Sequence, residues 1–379
     1  MNFDFTKEQE ILRETIQNFA RSEIAPHCLE WDEGQEFPAE AIQRLGEMGM
    51  MGVLVDEENG GAGLGYIEYV IILEELSRVE ASIGISVDAH NSLCSGHIHQ
   101  FGTPEQKAKH LKPLARGEAL GAWALTEPGS GSDAAAAKTR AVRTDGGWIL
   151  NGEKSFCTHG KRADVYVILA ITDPEAGSHG MSAFNLEKGS EGLHPGKKDN
   201  KLGCRACETT SLSLDNLFVP EQNLLGEEGE AFIAALEILD GGRIAIASVA
   251  LGIARGALDV SLAYSKEREK FGRPIGEFQG IRFNLADMAT RIEAARLLTY
   301  QAAALKQTRK MVTRESSMAK LFASEVSVWV AEQAVQIHGG YGYIKDYGVE
   351  KLWLDSKVTT IGEGTSEIQR MIIARELLG

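Results

Sequence analysis

The hydrophobic periodicity of this 379-residue chain changes twice, and that change most constrains its fold. Apolar residues recur at helical spacing up to about residue 117, in stretches such as AIQRLGEMGMMGV and YVIILEELSRV. Short alternating stretches rich in β-branched residues follow to about 230, and long helical periods then return. The sequence therefore predicts a mainly helical α+β protein with a helical domain (1–117), a β-domain (118–230) and a second helical domain (231–379).

Three local patterns refine this prediction. Thr6 with Gln9, and Ser366 with Gln369, match the capping box (S/T-x-x-Q) that opens a helix. In the middle segment the pair Asn151-Gly152 predicts a tight turn between strands. The alternating run TTSLSLDNLFVP predicts a strand that stops at its proline.

Composition excludes several classes of partner. The chain has 39 Lys and Arg against 54 Asp and Glu, a formal charge of −15, which disfavours broad binding to nucleic acid or anionic membranes. Uncharged apolar runs are shorter than the ~20 residues that span a bilayer. The start, MNFDFTKEQE, has no basic region followed by an apolar stretch, so we read no signal peptide. We expect a cytoplasmic protein that binds neither nucleic acid nor membrane.

Five cysteines form an odd and sparse set, which argues against a disulfide framework. Cys204 and Cys207 form a lone C-x-x-C with no second pair and no suitably spaced histidines. They are either two reduced, partly buried thiols or a zinc or redox pair.

One carboxylate near the C-terminus has an unusual setting. Glu363 lies between Gly362 and Gly364, directly before a predicted helix. It is either a solvated acid in a turn or a base that needs room for a ligand lying against the backbone.

Three further stretches could carry chemistry. WALTEPGSGSD (123–133) offers flexible backbone N–H groups and small hydroxyls to a phosphate or heterocycle, although such clusters are also ordinary turns. KEREKFGRP (266–274) concentrates cations that suit either a helix C-terminus or a phosphate clamp. QIHGGYGY (336–343) follows a predicted helix with three glycines, of which a helix stop explains one.

Together these stretches resemble the acyl-CoA dehydrogenase family. TEPGSGSD, LDGGRIAIASVALGIARGALD, REKFGRPIGEFQGI, QIHGGYGY and GEGTSEIQR occur in the family's order and at its spacing, over essentially the whole chain. The resemblance implies an N-terminal helical domain, a central β-domain and a C-terminal four-helix bundle. It also implies a homotetramer with one FAD per subunit, an acyl-CoA substrate and an electron-transfer flavoprotein as electron acceptor.

By this resemblance Glu363 is the catalytic base. It would remove the α-proton of a thioester while a hydride leaves the β-carbon for flavin N5. The backbone N–H of Glu363 would donate to the thioester oxygen, and Gly364 would also contact substrate. Some branches of the family place the base just before the arginine that corresponds to Arg243, and here that position is Gly242.

The resemblance assigns the other site residues in three groups. Flavin contacts are expected from Trp123, Leu125, Thr126, Gly131, Ser132, Phe156, Cys157, Thr158, Thr365 and Glu367. The FAD diphosphate and adenine of a neighbouring subunit would be held by Arg268, Phe271, Gln279, Gln336, Gly339 and Gly340. CoA or acyl contacts are expected from Ser132, Asp240, Arg243 and Gly364. Phe156 replaces the family's usual tryptophan, which leaves the shielding of the flavin open.

Two departures concern the substrate. Gly362 stands where short- and medium-chain members carry a bulky tyrosine, and Asp88 stands where the family has a small residue near the acyl tip. Asp88 either faces solvent or faces the pocket, where it would need a partner; His90 is the nearest candidate in sequence. A wide pocket with a second carboxylate resembles the branch acting on alicyclic thioesters, whose diene-forming members use an aspartate base and lack the glutamate.

The resemblance therefore predicts α,β-dehydrogenation of a short-chain or alicyclic (cyclohexane-carboxyl type) acyl-CoA. Three alternatives stay open. They are 1,4-dehydrogenation of cyclohex-1-ene-carboxyl-CoA with Asp88 as base, an acyl-CoA oxidase on the same scaffold, and a flavin-bearing DNA-associated protein. The acidic balance counts against the last.

Overall fold

The N-terminal region of the chain is helical. The computed structural model describes residues 4–309 and 311–379. Its first helices are α1 (Lys7–Phe19), α2 (Cys28–Gly34), α3 (Ala39–Glu47), α4 (Tyr66–Ser77), α5 (Ala81–Asp88), α6 (Gly96–Phe101), α7 (Pro104–Gln106) and α8 (Lys112–Ala115). A π-helical segment, Ala89–Ser95, joins α5 to α6. Such segments are rare and frequent at functional sites.

The middle region forms one twisted sheet. Its strands are β1 (Gly121–Ala124), β2 (Arg140–Thr144), β3 (Gly147–Thr158), β4 (Val165–Ile171), β5 (Met181–Glu187), β6 (Leu193–Lys198), β7 (Thr209–Pro220) and β8 (Leu224–Leu225). The strand order is β6-β7-β3-β2-β4-β5-β8, and β1 pairs in parallel with β4. Most neighbouring strands are antiparallel, but β4 is buried at every residue and β5 at all but its last, so both faces of the sheet are covered at these strands.

The C-terminal region is helical again. It contains α9 (Ala231–Glu267), a hairpin of β9 (Glu269–Lys270) and β10 (Arg273–Pro274), α10 (Gln279–Thr308), α11 (Thr313–His338), α12 (Val349–Thr359) and α13 (Ser366–Leu378). Buried side chains of α9, α10 and α11 form one core, which Val70 of α4 joins. Because α4 also contributes to the N-terminal core, the two helical regions share a continuous interior.

Helix α9 is long and apolar enough to cross a membrane by length and composition alone. Its most apolar 18-residue window is 78% buried inside the protein, as in the core helix of a helical bundle. It is accordingly the central element of the C-terminal core.

Some of the detailed sequence predictions are confirmed by the structure, and others are wrong. The order of helical, β and helical regions is confirmed, while the limits 1–117, 118–230 and 231–379 stay predictions. The capping box of Thr6 and Gln9 is present, and β7 ends at Pro220 as predicted. Residues 151–152 do not form a turn, because β3 continues through them; the pairing register with β7 shifts there instead, so the pair marks a bulge.

The capping box predicted for Ser366 and Gln369 is wrong by one residue. Thr365 caps α13, its hydroxyl accepting from Ile368 N at 3.4 Å. The side chain of Gln369 bonds instead to the carbonyls of Glu363 and Gly364. Gln369 thus stabilises the preceding turn rather than the helix start.

The five cysteines form no disulfide within the described chain. Cys204 and Cys207 are both buried, and burial raises the pKa of each thiol. Within residues 4–309 and 311–379, no group of three or more His, Cys, Asp or Glu side chains is arranged to hold a metal ion.

Candidate active site

The turn between α12 and α13 carries Glu363 in a strained conformation. Glu363 has φ +52° and Gly364 has φ +95°, two consecutive residues with left-handed backbone. That conformation is unfavourable for a residue with a Cβ, and it is found mainly where surrounding contacts impose it. Here Lys320 Nζ donates to Gly364 O at 2.6 Å, and Gln369 Nε2 donates to the same oxygen at 2.9 Å.

Two adjacent glycines of α9 make room for side chains from other elements. A Cβ on Gly242 would lie 1.8 Å from Oε2 of Glu363, and a Cβ on Gly241 would lie 2.6 Å from the Tyr66 hydroxyl. A glycine inside a helix costs about 1 kcal/mol relative to alanine, so the pair needs a reason. The Glu363 carboxylate therefore lies in the space where a residue 242 side chain would stand.

The Glu363 carboxyl has a free acceptor. The residue as a whole is partly exposed, but Oε2 is buried and makes no hydrogen bond to any described residue. A buried carboxylate oxygen without a donor is costly unless it has a task, so this atom is a candidate to receive a proton.

Asp88 lies beside Glu363. It is buried at the end of α5, where Oδ1 accepts from Ser92 Oγ at 2.5 Å and from the Tyr69 hydroxyl at 3.3 Å. Its carboxyl is also within hydrogen-bond reach of the Glu363 carboxyl. The solvent-facing interpretation of Asp88 is therefore wrong.

His90 is not the partner of Asp88, as the sequence had suggested. Its ring bonds to Leu114 O at 3.0 Å and accepts from Gly121 N at 3.1 Å. His90 therefore joins α8 to β1. Two residues of separation in a helical segment point the two side chains in different directions.

Burial raises the pKa values of both acids, and the Asp88 charge raises that of Glu363 further. Burial raises the pKa of Asp88 to about 7, against the Ser92, Glu363 and Tyr69 hydrogen bonds that lower it. Burial, and then the Asp88 charge, raise the pKa of Glu363 well above its ordinary value. The cations of Arg243 and Lys320 act in the opposite direction. Two carboxyls in contact cannot both ionise easily, so the pair holds one proton over a wide pH range.

Asp240 and Arg243 form a buried ion pair on α9. Arg243 Nη1 lies 2.6 Å from Asp240 Oδ1, and both side chains are almost fully buried. Asp240 Oδ2 accepts from Val312 N at 3.2 Å and from the Thr313 hydroxyl at 2.9 Å. The structure thus shows Asp240 linking α9 to the start of α11; contact of this pair with CoA stays a prediction.

Hydrogen bonds from β3 hold the loop that follows β1 on its inner side. Lys154 Nζ, fully buried, donates to Glu127 Oε1 at 2.7 Å and to Leu125 O at 3.1 Å. Ser155 N donates to Thr126 O at 2.8 Å. The outer side of the same loop is open, since a Cβ on Gly129 or Gly131 would meet no atom within 4 Å, and Ser132 is exposed.

The last residues of β3, next to this loop, alternate between exposed and buried side chains. Phe156 has φ +56° and is 72% exposed, whereas Cys157 is buried and donates from its sulfur to Trp123 O at 3.7 Å. Thr158 is partly buried. The side chain of Cys157 is therefore not available to a ligand on this face.

The residues predicted to hold the FAD diphosphate and adenine lie around the C-terminal end of α11, away from Glu363. Along this helix, Gln336 is about 24 Å from Lys320, which contacts the Glu363 turn, at 1.5 Å per residue. A surface cavity of about 380 Å³ there is lined by Arg268, Gly339 and Gly340 among others. Phe271, with φ +53°, is 95% exposed beside it on the β9–β10 hairpin.

The remaining predicted residues occupy the ends of helices. Gln279 begins α10, and Gln336 lies in the last turn of α11. Thr365 and Glu367, at the start of α13, line a surface cavity of about 310 Å³ with Lys357.

Sequence reasoning missed the groups that support Glu363. Tyr69 and Ser92 bond to Asp88, and Lys320 bonds to the turn that carries Glu363. One signal could have revealed Lys320: it lies on the buried stripe of α11 between Ser317 and Ser324, at helical spacing. A lysine inside a stripe of small buried residues is unusual.

Comparison with known proteins identifies the same family over the whole chain. The acyl-CoA dehydrogenase N-terminal domain matches residues 6–118, the middle domain matches residues 122–217, and the C-terminal domain matches residues 229–378. The short-chain specific acyl-CoA dehydrogenase of Clostridium acetobutylicum is 47% identical, with all of both chains covered.

Two solved structures have the same fold. Butyryl-CoA dehydrogenase from Megasphaera elsdenii is 42% identical with a TM-score of 0.98, and both chains are covered completely. A chain from work on the electron transferring flavoprotein of Acidaminococcus fermentans and flavin-based electron bifurcation is 47% identical, with the same TM-score and coverage.

Proposed function

The chain belongs to the acyl-CoA dehydrogenase family, oxidoreductases acting on CH–CH groups, and from that premise we propose a specific reaction. The protein removes an α-proton and a β-hydride from a short-chain or alicyclic acyl-CoA thioester, with Glu363 as the base. The product is the α,β-unsaturated thioester.

FAD is the cofactor of this family, and the residues present fit it. The loop containing Gly129 and Gly131 is open on its outer side, and the exposed ring of Phe156 stands next to it in left-handed backbone. The buried pair of Lys154 and Glu127 holds that loop rigid. When bound, FAD accepts the hydride from the β-carbon.

The observation that carries the proposal is the position of the Glu363 carboxyl. Its buried Oε2 has no donor, lies over Gly242 and projects from a turn whose backbone is fixed by Lys320 and Gln369. A general base must be ionised, basic enough to take the proton and held in one place. Burial supplies the basicity, and the two donors supply the position.

Relatives and local shape together support a compact acyl group. The Clostridium and Megasphaera proteins are named for short-chain and butyryl-CoA substrates. A Cβ on Gly362 would meet only Val358 O, at 3.5 Å, so the space next to the base is open. That space accommodates branching or a ring near the α- and β-carbons.

Anaerobic bleaching of the flavin tests this proposal. The panel is butyryl-, isobutyryl-, hexanoyl- and cyclohexanecarboxyl-CoA, and we expect a four-carbon substrate or the cyclohexanecarboxyl thioester to bleach the flavin faster than linear hexanoyl-CoA does. Glu363→Gln should retain FAD and lose bleaching with every saturated substrate, by at least about 100-fold, the effect of removing a general base. Normal bleaching by Glu363→Gln would disprove the assignment.

A second candidate reaction follows from the burial of Asp88. A second carboxyl in contact with the base could abstract a more distant proton, as in 1,4-dehydrogenation of cyclohex-1-ene-carboxyl-CoA. In that case Asp88→Asn abolishes bleaching by the cyclohexene thioester, and Glu363→Gln does not. The presence of Glu363 makes 1,2-dehydrogenation the better-supported reaction.

We propose that an electron-transfer flavoprotein takes up the electrons, as the name of the Acidaminococcus work suggests for its own system. An oxidase would use oxygen directly. Rapid reoxidation of the substrate-reduced enzyme by air, with no carrier added, would favour the oxidase.

We also propose a cytoplasmic homotetramer in which subunits share FAD. Exposed apolar side chains support it, including Phe271, Phe283 and Tyr343 in the C-terminal region. Light scattering on the purified holoenzyme measures the assembly directly, and a monomer that retains FAD would contradict it.

A further inference from the structure

Lys320 is a buried lysine next to the base-bearing turn. It lies on α11 with no exposed surface, between the small buried residues Ser316, Ser317 and Ser324. These short side chains leave space for a long one on the same face of the helix. A fully buried ammonium is rare unless it is paired or functional.

Its contact is with the backbone that shapes the base. Nζ donates to Gly364 O at 2.6 Å, and Gln369 Nε2 donates to Gly364 O at 2.9 Å and to Glu363 O at 3.2 Å. Both carbonyls at and after the base are therefore held. Because Glu363 and Gly364 both have left-handed backbone, external contacts are needed to keep this turn in one conformation.

The ammonium also acts on the charge of the site. Burial lowers the pKa of Lys320 to about 8, while the Glu363 carboxylate favours its charged form. The other charged groups around it are Arg243 from α9, Glu367 from α13 and Glu325 from α11 itself. Around Glu363, the charged groups are Asp88, Arg243 and Lys320. Lys320 is thus, with Arg243, one of the two cations that act on the acidic pair of Glu363 and Asp88.

We propose that Lys320 is a positioning residue of the reaction. Its ammonium holds the Gly364 carbonyl, and so the turn that directs Glu363 over Gly242, and its charge favours the ionised Glu363 carboxylate. The inference rests on the proposed function, in which Glu363 is the base. Lys320 itself touches no reacting atom.

A merely structural lysine and a positioning lysine differ in the pH profile that they produce. Loss of the cation should make Glu363 harder to ionise, so the acid limb of the rate of flavin bleaching moves to higher pH. Loss of stability alone lowers the amount of active enzyme but leaves the midpoint of that limb in place.

The experiment compares Lys320→Met, Lys320→Gln and Lys320→Arg with the wild-type holoenzyme, using anaerobic bleaching by butyryl-CoA from pH 5 to 9. For Lys320→Met we expect an acid limb raised by about one pH unit or more and a limiting rate at least about 10-fold lower. Lys320→Arg keeps the charge, so it should leave the midpoint unchanged and lower only the limiting rate. Lys320→Gln should raise the midpoint.

Arg314→Met is the matched control. Arg314 is a cation on the same helix, but it is exposed and pairs with its neighbour Glu315. We expect the wild-type profile for this variant, because solvent screens its charge.

The outcomes separate this inference from the proposed function. Unchanged midpoints in Lys320→Met and Lys320→Gln would overturn the role of Lys320 while leaving Glu363 as base. Bleaching by Glu363→Gln at the wild-type rate would overturn the proposed function itself. Should Lys320→Met not fold, the opposite expectations for Lys320→Gln and Lys320→Arg decide the question.

Discussion

The carboxylate of Glu363 fills the position that a side chain at Gly242 would occupy, with only 1.8 Å between Oε2 and a Cβ built there. Glu363 comes from the turn before α13, whereas Gly242 lies inside α9. The absence of a side chain at Gly242 therefore leaves the space that the Glu363 carboxylate occupies.

Gly242→Ala should separate activity from stability. The atom in conflict with the new methyl group is the end of a flexible side chain, so the carboxylate can move aside, and alanine favours a helix by about 1 kcal/mol over glycine. We expect a fold at least as stable as wild type, normal FAD content and flavin bleaching at least about 100-fold slower. The measurements are thermal unfolding and anaerobic bleaching by butyryl-CoA.

Gly34→Ala is a control for this variant. It ends α2, and a Cβ there would meet only Glu36 Cβ, at 3.9 Å. Its bleaching rate should equal that of wild type. A Gly242→Ala enzyme with full activity would show that the carboxylate works from another position.

Asp88→Asn should move the acid limb of the reaction to lower pH. The Asp88 charge is, after burial, the largest influence that raises the pKa of Glu363, and an amide removes that charge. Ser92 and Tyr69 can still donate to the amide oxygen. The check is the midpoint of the bleaching rate against pH with butyryl-CoA.

Asp145→Asn provides the comparison, because Asp145 is an exposed acid in the connection between β2 and β3. It should not shift the midpoint. A midpoint that stays in place, or rises, in Asp88→Asn would contradict the coupling of the two acids.

Sequence patterns predicted the regular elements and singled out Glu363, but they did not predict the surroundings of its carboxyl. Glu363 was identified from a short motif near the C-terminus, and β7 was delimited by its alternation and its proline. Local patterns failed where two neighbouring residues could serve the same role: Thr365, not Ser366, caps α13. The bulge at 151–152 was mistaken for a turn because both features use the same residues.

Contacts between distant segments could not be predicted from either partner alone. Whether Asp88 faces solvent depends on α4, which supplies Tyr69, and on a turn 275 residues further along the chain. The role of Lys320 cannot be predicted from the sequence, because its partner is a backbone carbonyl, Gly364 O, and such an acceptor has no sequence signature. Burial of polar side chains in the site is therefore a tertiary property.

Stability should depend on pH through Asp88. Its pKa is about 7 in the folded protein and near 3.8 in the unfolded chain, so the folded state binds the proton more tightly. Its contribution to stability is fully present below pH 3.8 and is lost as pH rises through 7, at a cost of a few kcal/mol in all. Asp88→Asn should therefore raise the midpoint of thermal unfolding more at pH 8 than at pH 5, relative to wild type. An equal effect at both pH values would show that Asp88 is ionised throughout.

Lys154→Met should loosen the loop that the flavin is expected to contact. Lys154 is fully buried and bonds to Glu127, whose carboxylate also accepts from the N–H groups of Lys138 and Thr139 at 2.6 and 3.0 Å. Removing one partner of a buried ion pair leaves the other charge uncompensated and costs about 3–5 kcal/mol. We expect a thermal midpoint lower by about 5 °C and a reduced ratio of FAD to protein absorbance. Lys188→Met, which breaks the exposed pair with Asp164, should change both by little, since such pairs contribute about 0–1 kcal/mol. Full FAD content together with the lower midpoint would limit the ion pair to a structural role.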